Sequence, residues 1–461
     1  MSEFIGRKKE LDFLTGAYNS PIGSFVPIYG RRRVGKTALI REFVKDKPAI
    51  FFTGKQASEK LQLHHFLQIT AQTLDEPFIA NLTFQDWHQA LDLIRQKWKG
   101  PEKLIIVLDE FQWTVDASPQ LPSYIQEFWD SYWQNSGQVM LILCGSYIGF
   151  MEKKVLGAKS PLFGRRTGQI FLKPFGFRDA ALFHPGLSHT DLAKIYIICG
   201  GIPYYLLCFS GKDSVTTNVE KVFLNEFSPL CREVDFLLRE ELREVETYYT
   251  LLFTLGTRRL SGTELAREAG IPERSIFYYL NNLSELGYIS KHHPIHHRTK
   301  RRTNAKYLLA DSFLLFWFTF VYPNMNLLIN SGPKAVFNDK IKSFLPSYFG
   351  LGFEKMCREA LPFLYRKEGV TAAFETGEYW DKTTQIDLVG IREDGRADIG
   401  ECKWGTIRSL KQLVSELESK VSKYPNPRNY TIQRRIFSRL KLPKGSLPDG
   451  YLTHTLDALY D

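Results

Sequence analysis

With 461 residues, 44% of them hydrophobic and 24% charged, the chain is globular, not disordered, and too long for one ordinary core. Its 60 Lys and Arg against 50 Asp and Glu give a net charge of +10, which permits a polyanionic partner without requiring one. Six cysteines (Cys144, Cys199, Cys208, Cys231, Cys357, Cys402) show neither paired spacing nor a zinc signature, which excludes a disulfide framework and points to the reducing cytoplasm.

The N-terminus, "MSEFIGRKKELDFL", is charged and lacks a signal-peptide core. The strand-like "SFVPIYG" leads into "GRRRVGKT", 30–37, and then into the helix-like "TALIREFV". This is the full G-x-x-x-x-G-K-[ST] pattern in its expected strand-to-helix setting. Gly30 and Gly35 let the backbone curl so that its N–H groups face phosphate oxygens, with Arg31, Arg32, Arg33, Val34 and Ala38 completing the ATP-binding stretch. Lys36 is expected to reach the β and γ phosphates, and Thr37 to offer its hydroxyl to Mg²⁺. A second apolar run, "LIIVLDEFQ", 104–112, reads as a buried strand ending in Asp109 and Glu110. After a P-loop, Asp109 is expected to hold Mg²⁺ through water and Glu110 to polarise the attacking water; the other reading of this acidic pair is a helix cap. A third buried run, "VMLILCGS", 139–146, ends in small polar residues. The basic "SPLFGRRTGQIFLKPF", 160–175, can offer Arg165 or Arg166 to a phosphate, or be a solvated loop.

Together "FIGRKKEL", "GRRRVGKT", "LDEFQ", "LCGS", "PLFGRR" and "GGIPYYL" resemble the archaeal-type ATPases of the STAND branch of P-loop NTPases, relatives of AAA+ proteins, over residues 1–230. The resemblance implies a parallel sheet in which an extra strand separates the P-loop strand from the helix after it in sequence. It implies that Phe4 and Arg7 of "FIGR" lie near the adenine, that Ser146 and Arg165 act on the γ-phosphate, and that Pro203 closes the site from a helical lid.

From Val245 the pattern turns helical. Ser261 and Glu264 form a capping-box pattern, Gly270 and Gly287 end helices, and Ile276, Leu280, Leu283 and Leu286 recur at helical spacing. Two strand-like runs, "YISKHHPI" and "KYLLAD", follow, joined by a loop bearing Arg298, Lys300, Arg301, Arg302 and Lys306. This resembles a winged helix-turn-helix whose wing lies on a DNA backbone, faces protein, or is simply solvated. His292, His293, His296 and His297 lack acidic or cysteine company and read as surface. The most hydrophobic run, "FLLFWFTFVY", 313–322, is about half the ~20 residues of a spanning helix and reads as a buried helix, with no membrane partner expected.

After Pro333, "YFGLGFEKMCREAL" reads as a helix carrying Glu354, "QIDLVGI" as a strand, Asp394-Gly395 as a hairpin turn, "ADIGECKW" as the return strand and "IRSLKQLVSELESK" as an amphipathic helix. Alternation along the return strand puts Glu401 and Lys403 on one face, and the hairpin brings Asp387 alongside. Asp387, Glu401, Lys403 and Glu354 then resemble the active site of the PD-(D/E)XK nuclease superfamily, although Ile386 stands where that pattern has Pro. Residues 333–461 as a whole look like the uncharacterised C-terminal domain of archaeal-type ATPases assigned to that superfamily. The resemblance implies metal-assisted hydrolysis, with Asp387 and Glu401 on Mg²⁺ or Mn²⁺ and Lys403 orienting water or steadying developing charge. A plain Glu401–Lys403 ion pair, or a nuclease fold that only binds nucleic acid, are the other readings.

The expected protein is therefore α/β and cytoplasmic, in three parts. These are a P-loop NTPase parallel sheet with helical lid (1–240), a winged helix-turn-helix (241–332) and an α/β restriction-endonuclease-like domain (333–461). ATP with Mg²⁺ would regulate action on DNA, with nucleotide-dependent homo-oligomerisation. The alternatives are a non-cleaving DNA-binding ATPase or a STAND-type switch that binds protein partners.

Overall fold

Strands β1 (Ser24–Tyr29), β2 (Ala49–Thr53), β3 (Leu104–Asp109), β4 (Val139–Gly145) and the short β5 (Ile170–Phe171) form a parallel sheet in the order β2-β3-β4-β1-β5. Every residue of β1, β3 and β4 is buried, which is why these strands read as unbroken apolar runs. The computed structural model describes residues 4–295, 305–443, 445 and 447–461. The chain divides into two units, Met1–Pro174 with Ile202–Tyr204, and Phe175–Gly201 with Tyr205–Asp461.

In the first unit, β4 stands between β1 and β3. The extra strand therefore separates the P-loop strand from the strand ending in Asp109, not from the helix after it as expected; that helix, Lys36–Val44, follows β1 directly through the P-loop. The pairings Tyr29↔Gly145 and Leu108↔Leu143 bring the C-terminal ends of β1, β3 and β4 to one edge of the sheet, where loops of open α/β sheets carry ligands.

The second unit opens with helices Phe177–Ala181 and His189–Cys199 and continues through Glu233–Glu241. Three helices follow, Val245–Thr257, Gly262–Ala269 and Glu273–Glu285, with the antiparallel hairpin β6 (Ile289–His292) and β7 (Lys306–Leu309). The Ser261–Glu264 capping box forms, Gly270 caps its helix at φ 68°, and Ile276, Leu280, Leu283 and Leu286 are buried as the spacing requires. Arg298, Lys300, Arg301, Arg302, His296 and His297 lie outside the described residues. The apolar run 313–322 begins a longer helical stretch, Ser312–Ile341, which is long and apolar enough by length and composition to cross a membrane. Its first part, including Phe313, Phe316, Trp317 and Phe320, is buried inside the unit. Pro323 does not end the stretch because it sits in the first turn of the 3₁₀ segment Tyr322–Asn324, where no N–H is needed.

The last part pairs the helix Leu345–Lys367 with a five-stranded sheet in the order β12-β11-β10-β9-β8. Its strands are β8 (Phe374–Trp380), β9 (Gln385–Arg392), β10 (Arg396–Lys403), β11 (Thr431–Ser438) and β12 (Tyr451–Thr455). β8, β9 and β10 run antiparallel, and β10, β11 and β12 run parallel. The predicted turn holds, with Gly395 at φ 81°. Val389 and Ile399 pack with Leu413 and Leu417 of the helix Leu410–Lys423 on one face. On the other, Tyr365 and Leu361 close over Gly390, and Tyr365 donates to Asp398 (2.5 Å).

Candidate functional site

The first cluster lies on the sheet edge of the first unit. Gly30 (φ 152°) and Gly35 (φ 95°) take backbone conformations open to glycine, and at Gly30 a Cβ would lie 2.4 Å from the Leu172 carbonyl oxygen. Lys36, 6% exposed, starts the helix and donates to the carbonyls of Gly30 and Arg31 (2.8 Å each), so its ammonium is held over the loop. Thr37 Oγ1 donates to Asp109 Oδ2 at 2.8 Å, joining the two residues expected to share a cation. Glu110 is left-handed (φ 49°) at the cap position of the helix Phe111–Ala117, yet its side chain makes no capping bond. Its carboxylate instead accepts from Ser146 Oγ (2.9 Å) and from the Gln112 amide, so Glu110 does not act as a side-chain cap, while Asp109 Oδ1 accepts the Glu110 N–H at 3.0 Å. Gln112 was not singled out by sequence, although its place two residues after Glu110 was visible.

Arg7 Nη2 donates to the carbonyls of Val34 (3.2 Å) and Lys173 (2.8 Å), bringing "FIGR" onto the P-loop. Pro203 Cγ lies 3.6 Å from where a Cβ on Gly35 would stand, and the Arg33 guanidinium sits 3.8 Å over the Tyr204 ring. Arg165 forms a two-bonded pair with Asp130 (2.8 and 2.7 Å), 35 residues earlier, and donates to the Pro161 and Phe163 carbonyls of its own loop, so its fork is engaged in protein contacts.

The second cluster lies at the ends of β9 and β10. The pairing Gly400↔Leu388 sets Asp387 opposite Glu401 as the next pair in register. Glu401 Oε1 is 2.8 Å from Lys403 Nζ, as alternation along the strand predicts, and Asp387 Oδ2 accepts from the Cys402 N–H at 3.0 Å. Two residues of the helix Leu410–Lys423 join them. Lys420 Nζ lies 2.5 Å from Glu401 Oε2 and 3.7 Å from Asp387 Oδ1, and Glu416 accepts from Lys403 at 3.2 Å. The signal for Lys420 was there: it continues the buried stripe of Leu413, Leu417 and Tyr424 at helical spacing, where an apolar residue is due. An open cleft of about 870 Å³ adjoins, lined by Glu401, Lys403, Lys411, Ser415, Lys420 and Lys423 among others.

Glu354 does not join as expected. It belongs to the helix over the opposite sheet face, its Oε2 is buried without a hydrogen-bond partner, and its nearest cation is Arg358 at 3.9 Å. Burial first, then the Asp387 charge, push its carboxyl up to about 7. Burial and Glu401 likewise raise Asp387. Burial lowers the two lysines, but Asp387 and Glu401 outweigh it at Lys420, and Glu401 and Glu416 at Lys403, so both are raised. The reading of His292 as companionless is corrected: its Nδ1 lies 3.1 Å from Glu378 Oε1, a partner 86 residues on that spacing cannot reveal.

Do these residues fit a divalent cation? The donors are carboxylate oxygens, as Mg²⁺ and Mn²⁺ require. A single ammonium already spans Asp387 and Glu401, so the two stand at one cation's reach. Among the described residues no group of three His, Cys, Asp or Glu forms a ready cage. The pair fits a two-carboxylate site once Lys420 withdraws.

A family model for an ATPase domain predominantly from Archaea matches residues 4–209, and a model for archaeal and bacterial proteins of unknown function matches residues 317–416. An uncharacterized protein of Methanocaldococcus jannaschii is 31% identical over 422 residues, covering 90% of this chain and 91% of that protein. An uncharacterized ATP-binding protein of the same organism is 48% identical over 44 residues, 10% of this chain and 75% of that protein. Among solved structures, the Walker-type ATPase PABY2304 of Pyrococcus abyssi is similar at 20% identity with a TM-score of 0.49, covering 68% of this chain and 96% of that one.

Proposed function

The chain belongs to the family of the M. jannaschii protein it matches along nine-tenths of its length, with an archaeal-type P-loop ATPase domain at its N-terminus, and on that premise we propose that it is an ATP-regulated, metal-dependent DNA nuclease. In this reading residues 1–240 are the STAND-type ATPase with its lid, 241–332 a winged helix and 333–461 a PD-(D/E)XK nuclease-like domain. The observation that carries it is the convergence of Asp387, Glu401 and Lys403, the last two lining a lysine- and hydroxyl-bearing cleft.

In the ATPase site, Lys36 leaves the Gly30 and Arg31 carbonyls for the β and γ phosphates of ATP. Thr37 and Asp109 would hold Mg²⁺, and Glu110 would orient the attacking water, with Ser146 and Gln112 fixing its carboxylate. In the second site, Asp387 and Glu401 hold Mg²⁺ or Mn²⁺, which when bound acidifies water and polarises the phosphodiester. Lys403, released from Glu401, steadies charge developing on the phosphate. Lys411 and Lys423 hold the backbone of the strand by charge, which favours binding without sequence preference.

The helix carrying Glu354 also supports control by nucleotide. Within the second unit it packs on His189–Cys199: Tyr196 donates to Glu359 (2.8 Å), Tyr348 donates to the Ile197 carbonyl (3.4 Å), and Ile197 fills the space at Gly352. From that lid helix the chain runs straight into Ile202–Tyr204, which belongs with the ATPase unit. A second reading, a DNA-binding ATPase that does not cut, is favoured by Lys420, whose ammonium neutralises Asp387 and Glu401 without a metal. Cleavage of duplex and single-stranded DNA with Mg²⁺ or Mn²⁺ separates the two. The nuclease reading expects Lys403→Ala to abolish cutting with ATP hydrolysis intact. Cutting that persists in the purified variant refutes it.

A further inference from the structure

Glu378, on β8, is 2% exposed, and no sequence signal drew attention to it. Two of its partners come from outside the C-terminal sheet. Arg259, between the helices Val245–Thr257 and Gly262–Ala269, pairs with Oε2, and His292, at the end of β6, pairs with Oε1. Its third partner is Arg358, whose Nη1 stands 3.8 Å from Oε2. That same nitrogen donates to the Asp387 carbonyl at 2.6 Å and lies 3.9 Å from the unpartnered Glu354 oxygen. One guanidinium thus stands between Glu378 and the backbone of Asp387, with Glu354 beside it.

The contest for it is decided by charge. A carboxylate as buried as Glu378 costs several kcal/mol unless paired. Burial alone would raise its pKa, yet His292, Arg358 and Arg259 bring it down to about 2. While Arg259 and His292 satisfy Glu378, Arg358 is left to Asp387 and Glu354. Without Arg259, the buried carboxylate would draw Arg358 across a gap of about 1 Å to hydrogen-bond distance, away from the Asp387 carbonyl. The contributing segment is built into the sheet. Ile295 N–H donates to the Glu378 carbonyl (2.8 Å), the Ile295 side chain packs among Tyr379, Val389, Ile399 and Leu417, and its Cδ1 lies 2.6 Å from where a Cβ on Gly377 would be.

We propose that Arg259 and His292 are positioning residues of the Asp387–Glu401 site, acting through Glu378 and Arg358, so that residues 241–332 complete a cation site borne by residues 333–461. The proposal rests on the reading of Asp387 and Glu401 as cation ligands. Groups that touch a metal's ligands typically govern affinity by about 10–100-fold; here Arg358 is that group, through the Asp387 carbonyl, and Arg259, two contacts further out, is expected to act at or below the low end of that range.

The experiment is Mn²⁺ binding to the full chain, followed by electron paramagnetic resonance, beside amide exchange at Cys402, whose N–H is held by Asp387. Arg259→Ala is expected to weaken Mn²⁺ about threefold to tenfold and to speed Cys402 exchange, with Arg259→Lys restoring most of both. In a Glu378→Gln background the same Arg259→Ala change is expected to alter affinity less than about twofold, since the connecting charge is gone. Melting temperature of each variant separates lost positioning from lost folding. Unchanged Mn²⁺ affinity and Cys402 exchange in Arg259→Ala, or an undiminished effect in the Glu378→Gln background, overturns the proposal. If wild type binds no Mn²⁺, the cation reading fails by itself, and the exchange rates alone decide whether Arg259 positions Asp387.

Discussion

Replacing Glu354 by Gln keeps the side chain's size and removes its titration. Glu354 is nearly buried, its Oε2 has no hydrogen-bond partner, and its carboxyl rises from an ordinary 4.5 to about 7. The folded protein therefore holds this proton more tightly than the unfolded chain does. Stability from that preference is full below pH 4.5 and is lost as pH rises through 7. A rise of that size is worth about 3 kcal/mol at 1.36 kcal/mol per pH unit. Asp387, whose charge is the second cause after burial, is relieved as well. With divalent metal chelated, Glu354→Gln should match wild type within about 1 kcal/mol at pH 5 and exceed it by about 3 kcal/mol at pH 8. For a unit of this size that difference is a rise in melting temperature of about 5 °C or more, read by scanning calorimetry of the full chain. A variant whose advantage is the same at pH 5 and pH 8, or one less stable at pH 8, refutes the reasoning.

Glu110→Gln should slow ATP hydrolysis about 100-fold or more while ATP still binds, because the carboxylate that Ser146 and Gln112 hold is lost but Lys36 remains; turnover near wild type would remove Glu110 from the reaction. Ser261→Ala should cost about 1 kcal/mol and expose amides at the start of the helix Gly262–Ala269 to exchange, and protection unchanged there would show that the capping box contributes nothing.

Local chemistry made the P-loop, the Asp109-Glu110 strand end and the hairpin of Asp387 and Glu401 legible. Glycine conformation, unbroken apolar strands and a two-residue side-chain period act over a few residues and leave their mark in sequence. The capping box at Ser261 and the buried stripe from Ile276 to Leu286 were readable for the same reason. What was not readable is what tertiary packing joins. Arg165 was open to reading as a phosphate contact or as part of a solvated loop, and neither reading reveals Asp130, which the fold brings to it from 35 residues away. Glu354 sits on the expected helix, yet that helix covers the sheet face opposite to Glu401, so it couples to Asp387 by charge rather than by contact. Lys420 shows itself only as a lysine in an apolar stripe. Glu378 is an ordinary strand residue whose partners Arg259 and His292 come from 119 and 86 residues upstream.

The most direct test is the initial rate at which wild-type protein nicks supercoiled plasmid in Mn²⁺, with ATP against ADP. The account predicts metal-dependent nicking whose rate differs about tenfold or more between the two nucleotides, because the helix His189–Cys199, which leads into Ile202–Tyr204, also carries the packing of the helix bearing Glu354. Absence of nicking in both nucleotide states, or a rate indifferent to nucleotide, would contradict it.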